Sequence, residues 1–213
     1  MDGTLIDTEK YYRIFWPKAL AHFGYEMSDE QALSMRSLGQ PYAPQHLKDM
    51  FEDPDLDYAA IRKYRKEIME ECLDENGIEI KPGVFALLDF LKEKKIKRAI
   101  ATATDTQRTE KYLKNLGLYD YFDEIICATM VEHGKPAPDI FLKACEELGV
   151  KPERAYAIED SYNGIRAAYV GKLHPIMVPD LLPETAEMQE KAEVVLPDLL
   201  EVISYLKGDR HGI

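Results

Sequence analysis

Residues 155–165 read Ala-Tyr-Ala-Ile-Glu-Asp-Ser-Tyr-Asn-Gly-Ile. The apolar run 155–158 has the length of a buried strand, and the segment 162–170 that follows has helical periodicity. Two adjacent acids, Glu159 and Asp160, fall at the junction. Acids there suit the positive end of a helix macrodipole, and they equally suit a hard cation. What else reaches the same place decides between the two.

The strand-then-helix unit recurs on both sides. A helix over 84–94 carries Val84, Leu87, Leu88 and Leu91 on one face. Strand 98–101 precedes helix 107–116, which Gly117 closes, and strand 124–127 precedes helix 138–148, which Gly149 closes. Strand 175–178, a short strand at 194–196 and a helix over 199–206 complete the series. Short strands alternating with helices predict an α/β fold: a Rossmann-like core of three layers with a parallel sheet covered on both faces. Right-handed crossovers bring the C-terminal ends of its strands to one edge, where ligands bind.

Before Lys81-Pro82-Gly83 the signals are helical. Thr8 is placed to cap a helix through Tyr11, Phe15 and Leu20, with Pro17 expected to kink or restart it. Ser28 with Gln31 forms a capping box, and Gly39, Pro41 and Pro44 read as a turn. Residues 58–73 carry the stripe Ile61, Tyr64, Ile68, Met69 and Cys72, ended by Gly77. The expected organisation is a core from 1–7 and 82–213 with a helical cap, 8–81, inserted into it.

A chain of 213 residues suits one or two compact units. Its 27 basic and 39 acidic residues give a net charge of −12, which repels nucleic acid and anionic membranes. No apolar run is long enough to span a bilayer and the start carries acids, not a basic leader, so a cytoplasmic protein is expected. Cys72, Cys127 and Cys145 are too widely spaced for a zinc pattern and odd in number, and read as reduced thiols. The sequence leaves the oligomeric state open.

Four stretches are expected on the ligand-binding edge: Asp2-Gly3-Thr4, residues 99–104 (AIATAT), His133-Gly134-Lys135-Pro136, and Ile158-Glu159-Asp160-Ser161. Taken singly, each has a plain reading. Thr102, Thr104 or Asp105 caps a helix, Lys135 is solvated, Glu159-Asp160 balances a helix dipole, and Asp2-Gly3 is a turn. Taken together they give one edge acids, hydroxyls, a lysine and helix N-termini. That mixture matches phosphoryl chemistry: carboxylates hold a divalent cation, hydroxyls and N–H groups hold phosphate oxygens, and a lysine neutralises the charge between them.

In this order and spacing MDGTLIDTE (1–9), AIATAT (99–104), GKPAPDIF (134–141) and AIEDSYNGI (157–165) resemble the motifs of the haloacid dehalogenase superfamily. Over essentially the whole chain the resemblance is strongest to its β-phosphoglucomutase-like phosphatases with a helical cap. It implies a Mg²⁺-dependent phosphatase acting on a small phosphorylated metabolite, a sugar phosphate. It implies Asp2 as general acid/base, with its backbone carbonyl on Mg²⁺. Thr102 would bind a phosphoryl oxygen, Lys135 would hold phosphoryl group and nucleophile together, and Glu159 and Asp160 would hold Mg²⁺.

The same resemblance puts a nucleophilic aspartate two positions before Asp2, ahead of Met1, on a strand between those ending at Thr102 and Asp160. These 213 residues are therefore expected to give no turnover through an aspartyl-phosphate, with the first strand encoded upstream. A gap of roughly 9–10 Å, one strand wide, is expected in the sheet. The family's mutases carry a His where Tyr12 stands and an Arg where Tyr42 stands, which favours hydrolysis over a phosphomutase. Arg36 and Lys48 are the cap cations nearest to replace that Arg. A non-catalytic protein that binds a phosphorylated ligand or a partner is the reading from another class.

Overall fold

The computed structural model describes residues 1–208. Helices α1 (Glu9–His22), α2 (Asp29–Ser34), α3 (Tyr42–Met50) and α4 (Tyr58–Asn76) come first. The α1 helix runs on through Pro17 without restarting. The Ser28 side chain accepts from the Gln31 N–H and the Gln31 side chain from the Ser28 N–H, so the capping box forms. The turn read from Gly39, Pro41 and Pro44 is instead the entry to α3. Pro44 lies in its first turn, where no intrahelical N–H donor is required. Trp16, Ala19, Leu20, Leu47 and Ile61 bury one another between these helices, while Phe15, Met69 and Leu73 join the core beneath.

The rest of the chain alternates. Its elements are α5 (Val84–Glu93), β1 (Ala99–Thr102), α6 (Thr106–Asn115), β2 (Glu124–Cys127), α7 (Asp139–Leu148) and β3 (Tyr156–Glu159). They continue with α8 (Tyr162–Val170), β4 (His174–Met177), α9 (Ala186–Lys191), β5 (Val194–Val195) and α10 (Leu199–Lys207). Every strand pair is parallel, with Ile100 opposite Ile125 and Ile158 opposite Ile176. Strands β1 and β3 each extend one residue beyond the run read from sequence, so Thr102 and Glu159 are their last residues. Among the described residues no helix is long and apolar enough to cross a membrane.

The strands form two sheets, β1-β2 and β3-β4-β5, rather than one. Between β1 and β3 lies a mainly apolar cavity of about 680 Å³, lined by Leu87, Ile100, Phe141, Ile158 and Leu199 among others. It falls where the sequence predicts a one-strand gap. Met1, Leu5 and Ile6 pack with Leu88, Ile100, Leu113 and Ile176, so apolar contacts rather than a continuous hydrogen-bond ladder join the halves.

The helical cap meets the core backbone to backbone. The Gly39 N–H donates to the Lys135 carbonyl at 2.9 Å, and the Gly134 N–H donates to the Gln40 carbonyl at 2.6 Å. A Cβ on Gly39 would stand 2.6 Å from the Gly134 Cα, closer than two carbons approach. Gly39→Ala is therefore expected to push the two segments apart and cost about 1–3 kcal/mol, as overpacking does. Urea unfolding checks this; an unchanged midpoint would show that the contact is not made in solution.

Candidate active site

Asp2 precedes a tight turn in which Gly3 adopts φ +70° and donates its N–H to the Ile6 carbonyl. Its Oδ1 accepts from the Thr8 hydroxyl at 2.6 Å, and its Oδ2 from Thr104 at 2.9 Å and Thr102 at 3.4 Å. The helix caps fall elsewhere than Thr102 and Thr104. Asp105 caps α6 by accepting from the Arg108 N–H at 3.1 Å, which leaves both threonine hydroxyls for Asp2. Thr8 likewise gives its hydroxyl to Asp2 and makes no side-chain cap on α1.

Lys135 is buried, which overturns its reading as a solvated lysine. Its Nζ donates to the Ala101 carbonyl at 3.1 Å and pairs with Glu159. The other Glu159 oxygen accepts from the Ser161 hydroxyl at 3.1 Å, and Ser161 caps α8 through the Gly164 N–H at 3.0 Å. Asp160 is only 2% exposed. It accepts from the Thr4 hydroxyl at 3.0 Å and pairs with the Arg36 guanidinium. Sequence reasoning thus places Asp2, Thr102, Lys135, Glu159 and Asp160 at one edge, and the structure brings them together there. A cavity of about 110 Å³ opens among Asp2, Thr102, Lys135 and Glu159.

Arg36 does more than the sequence indicates. Just beyond the end of α2, it donates to Glu9 at 3.2 Å and to Asp180 at 3.3 Å besides pairing with Asp160. Its carbonyl accepts from Asn163 at 3.0 Å, fastening it to α8. Lys81 supplies a second cation to Asp180. Burial opposes the Arg36 charge, but Asp160, Glu9 and Asp180 outweigh it and raise its pKa. Burial, with Asp160 adding repulsion and Arg36 only partly offsetting it, pushes Glu9 up to about 8. Burial also pushes Asp160 up to about 6 against the pull of Arg36.

Glu9 and Asp180 were not singled out by sequence, because one reads as a helix-dipole acid and the other as a loop residue. Of the cap residues weighed there, Tyr12 and Arg36 reach the site, the Tyr12 hydroxyl lying 3.5 Å from the Thr104 hydroxyl. Tyr42 is exposed, and Lys48 donates instead to the Pro54 carbonyl at 2.6 Å.

Among the described residues, no three His, Cys, Asp or Glu side chains converge as a ready cation cage. Asp2, Glu159 and Asp160 are engaged by hydroxyls, Lys135 and Arg36 respectively. The donors, the Glu159 and Asp160 carboxylates and the Asp2 backbone carbonyl, are nevertheless all hard oxygens, and Asp160 already holds a permanent cation. Such a set fits a hard divalent ion, with the guanidinium standing in for its charge.

A family profile described as haloacid dehalogenase-like hydrolase matches residues 1–169. The chain is 31% identical over 216 aligned residues to a phosphorylated carbohydrates phosphatase of Thermotoga maritima, spanning 97% of this chain and 95% of that protein. It is 32% identical to the fructose-1-phosphate phosphatase YqaB of Escherichia coli, over 79% of this chain and 87% of that protein. The crystal structure of CbbY from Rhodobacter sphaeroides in complex with phosphate superposes with a TM-score of 0.77 at 29% identity, covering 95% of this chain and 93% of that one.

Glu9 and Asp160 hold protons more tightly folded than unfolded, so their contribution to stability is present below the ordinary carboxylate pKa and is lost as pH rises through about 6 and 8. In chelator, stability is expected to fall by about 2 kcal/mol from pH 6 to pH 8, chiefly through Glu9. Denaturant unfolding at the two pH values checks this, with Glu9→Gln flattening the slope. Arg36→Gln is expected to cost about 3–5 kcal/mol at pH 8, and less at pH 6 where the acids take up protons.

Proposed function

This chain belongs to the haloacid dehalogenase-like hydrolase family, and from that premise we propose that it hydrolyses the phosphate ester of a small sugar phosphate with the help of Mg²⁺. The observation that carries the reading is the buried Lys135, held between the Ala101 carbonyl and Glu159. A desolvated cation beside a hydroxyl and an orientated carboxyl is an arrangement for a phosphoryl group. The relatives named for phosphorylated carbohydrates and fructose 1-phosphate support a sugar phosphate as the class of substrate.

Each residue has a definable task. The Lys135 ammonium and Thr102 hydroxyl bind phosphoryl oxygens. The Asp2 carboxyl, orientated by Thr8, Thr102 and Thr104, gives a proton to the departing alcohol and later takes one from water. Asp160 and Glu159, with the Asp2 carbonyl, would hold Mg²⁺, which supplies positive charge against the phosphate dianion. The helical segment 8–81 acts as a cap that excludes water. Tyr12 and Tyr42, where the mutases have His and Arg, favour hydrolysis over transfer to a second hydroxyl. Turnover through an aspartyl-phosphate belongs to a chain that carries a carboxylate two positions before Asp2.

Phosphate release from fructose 1-phosphate tests the reading. Residues 1–213 alone are expected to give none. A chain extended by an apolar strand with Asp two positions before Asp2 is expected to turn over in Mg²⁺ and to stop in EDTA. Asp2→Asn is expected to slow that chain by about 10²–10⁴-fold. Phosphate release by residues 1–213 that Lys135→Ala abolishes would sink the assignment of the nucleophile.

A further inference from the structure

The apolar stripe of α4 is interrupted by Arg65, one turn from Ile61 and one from Met69. Arg65 is 4% exposed, and its Nε and Nη1 are buried without a hydrogen-bond partner. Its guanidinium carbon lies 4.6 Å from the Tyr12 ring centroid and 4.4 Å from that of Trp16. The aromatic rings hold the cation, and neither offers an acceptor to those two N–H groups.

Among the described residues, no carboxylate is among the strongest influences on this charge. The strongest charged influences on Arg65 are Arg108 and Arg62, both of its own sign, and burial holds its pKa below the ordinary arginine range. Nearby acids are already engaged, Glu70 with Arg108 and Lys111, and Asp105 with Lys66. Aromatic contact offsets only part of the lost hydration of a buried ion. The uncompensated group also sits in a chain whose net charge is −12. Arg62, Arg65 and Arg108 line the same cavity as Asp2, Thr102 and Lys135. Tyr12 spans the two ends, its ring against Arg65 and its hydroxyl 3.5 Å from Thr104 beside Asp2.

Resting on the phosphatase reading above, we propose that Arg65, with Arg62 and Arg108 beside it, is a second anion-binding subsite, so that the substrate carries a phosphate ester at Lys135 and a second oxyanion at Arg65. The planar guanidinium fork matches a carboxylate or a phosphate in two parallel hydrogen bonds. Arg65 and Lys135 line one cavity, so a single small molecule held there meets both.

Calorimetric binding in Mg²⁺ to residues 1–213 compares two pairs of probes: glucose 6-phosphate with 6-phosphogluconate, and fructose 1-phosphate with fructose 1,6-bisphosphate. In at least one pair the doubly anionic member is expected to bind tenfold or more tightly, and the pair that does so tells carboxylate from phosphate. Arg65→Gln is expected to bring that ratio to within twofold, and Arg65→Lys, which keeps the charge without the fork, to leave an intermediate value. If Arg65→Gln is too unstable to assay, the drop in ratio is read in Arg65→Lys alone. A wild-type ratio near one in both pairs, or a ratio that survives these substitutions, overturns the subsite while leaving the phosphatase reading intact. Failure of all four probes to bind the wild type overturns both.

Discussion

The structure depends on neutralising acids that are buried together at one edge of a parallel sheet. Glu9, Glu159 and Asp160 are all buried there; Glu159 meets Lys135, while Glu9 and Asp160 share Arg36. Lys135 comes from the loop after β2, and Arg36 from the helical cap. Lys81, from the join between the two parts, reaches Asp180 at the same cluster. Forming such pairs gains little over apolar packing, but breaking one strands a buried charge at a cost of several kcal/mol. Cap position and sheet-edge electrostatics are therefore one problem. The cap cannot leave with Arg36 unless another cation or a proton takes its place on Asp160.

The cavity is polarised as a consequence. Its sheet side is rich in carboxylates answered by one lysine and one arginine, while Arg62 and Arg65 from the cap and Arg108 from α6 line the rest of it with aromatic rings. The acidic exterior repels phosphorylated molecules at a distance, screened beyond about 8–10 Å at ordinary ionic strength. A ligand that passes that screen finds positive potential concentrated inside, in low-dielectric walls that strengthen it.

Much of this was legible in the sequence, for reasons that are local. Parallel strands buried on both faces read as unbroken apolar runs, so AIAT, EIIC and YAIE marked their positions to within one residue. Strand ends then located Asp2, Thr102, Lys135, Glu159 and Asp160 on one edge. What escaped is long-range. Arg36 and Asp160 lie 124 residues apart, and no periodicity relates them. Arg65 left a faint signal, a charge on a core-facing stripe, where a solvated arginine should have pointed outward. The α3 helix was hidden because Pro44 looks like a breaker unless its position in the first turn is known.

The divided sheet adds a mechanical link between core and site. Glu159 lines the apolar cavity between β1 and β3 and also lines the site above it. Met1 does the same, and Thr4, which reaches Asp160, lines the apolar cavity as well. At that edge, among the described residues, β3 meets no partner strand on its β1 side, so Glu159 is positioned by side-chain bonds from Lys135 and Ser161 and by apolar packing beneath it. Packing transmits displacement because protein interiors are dense and resist compression. A change in how that apolar space is filled is therefore transmitted to Glu159, and through their ion pair to Lys135. The chemistry of the edge is thus set by the packing between the half-sheets as much as by the four stretches that line it.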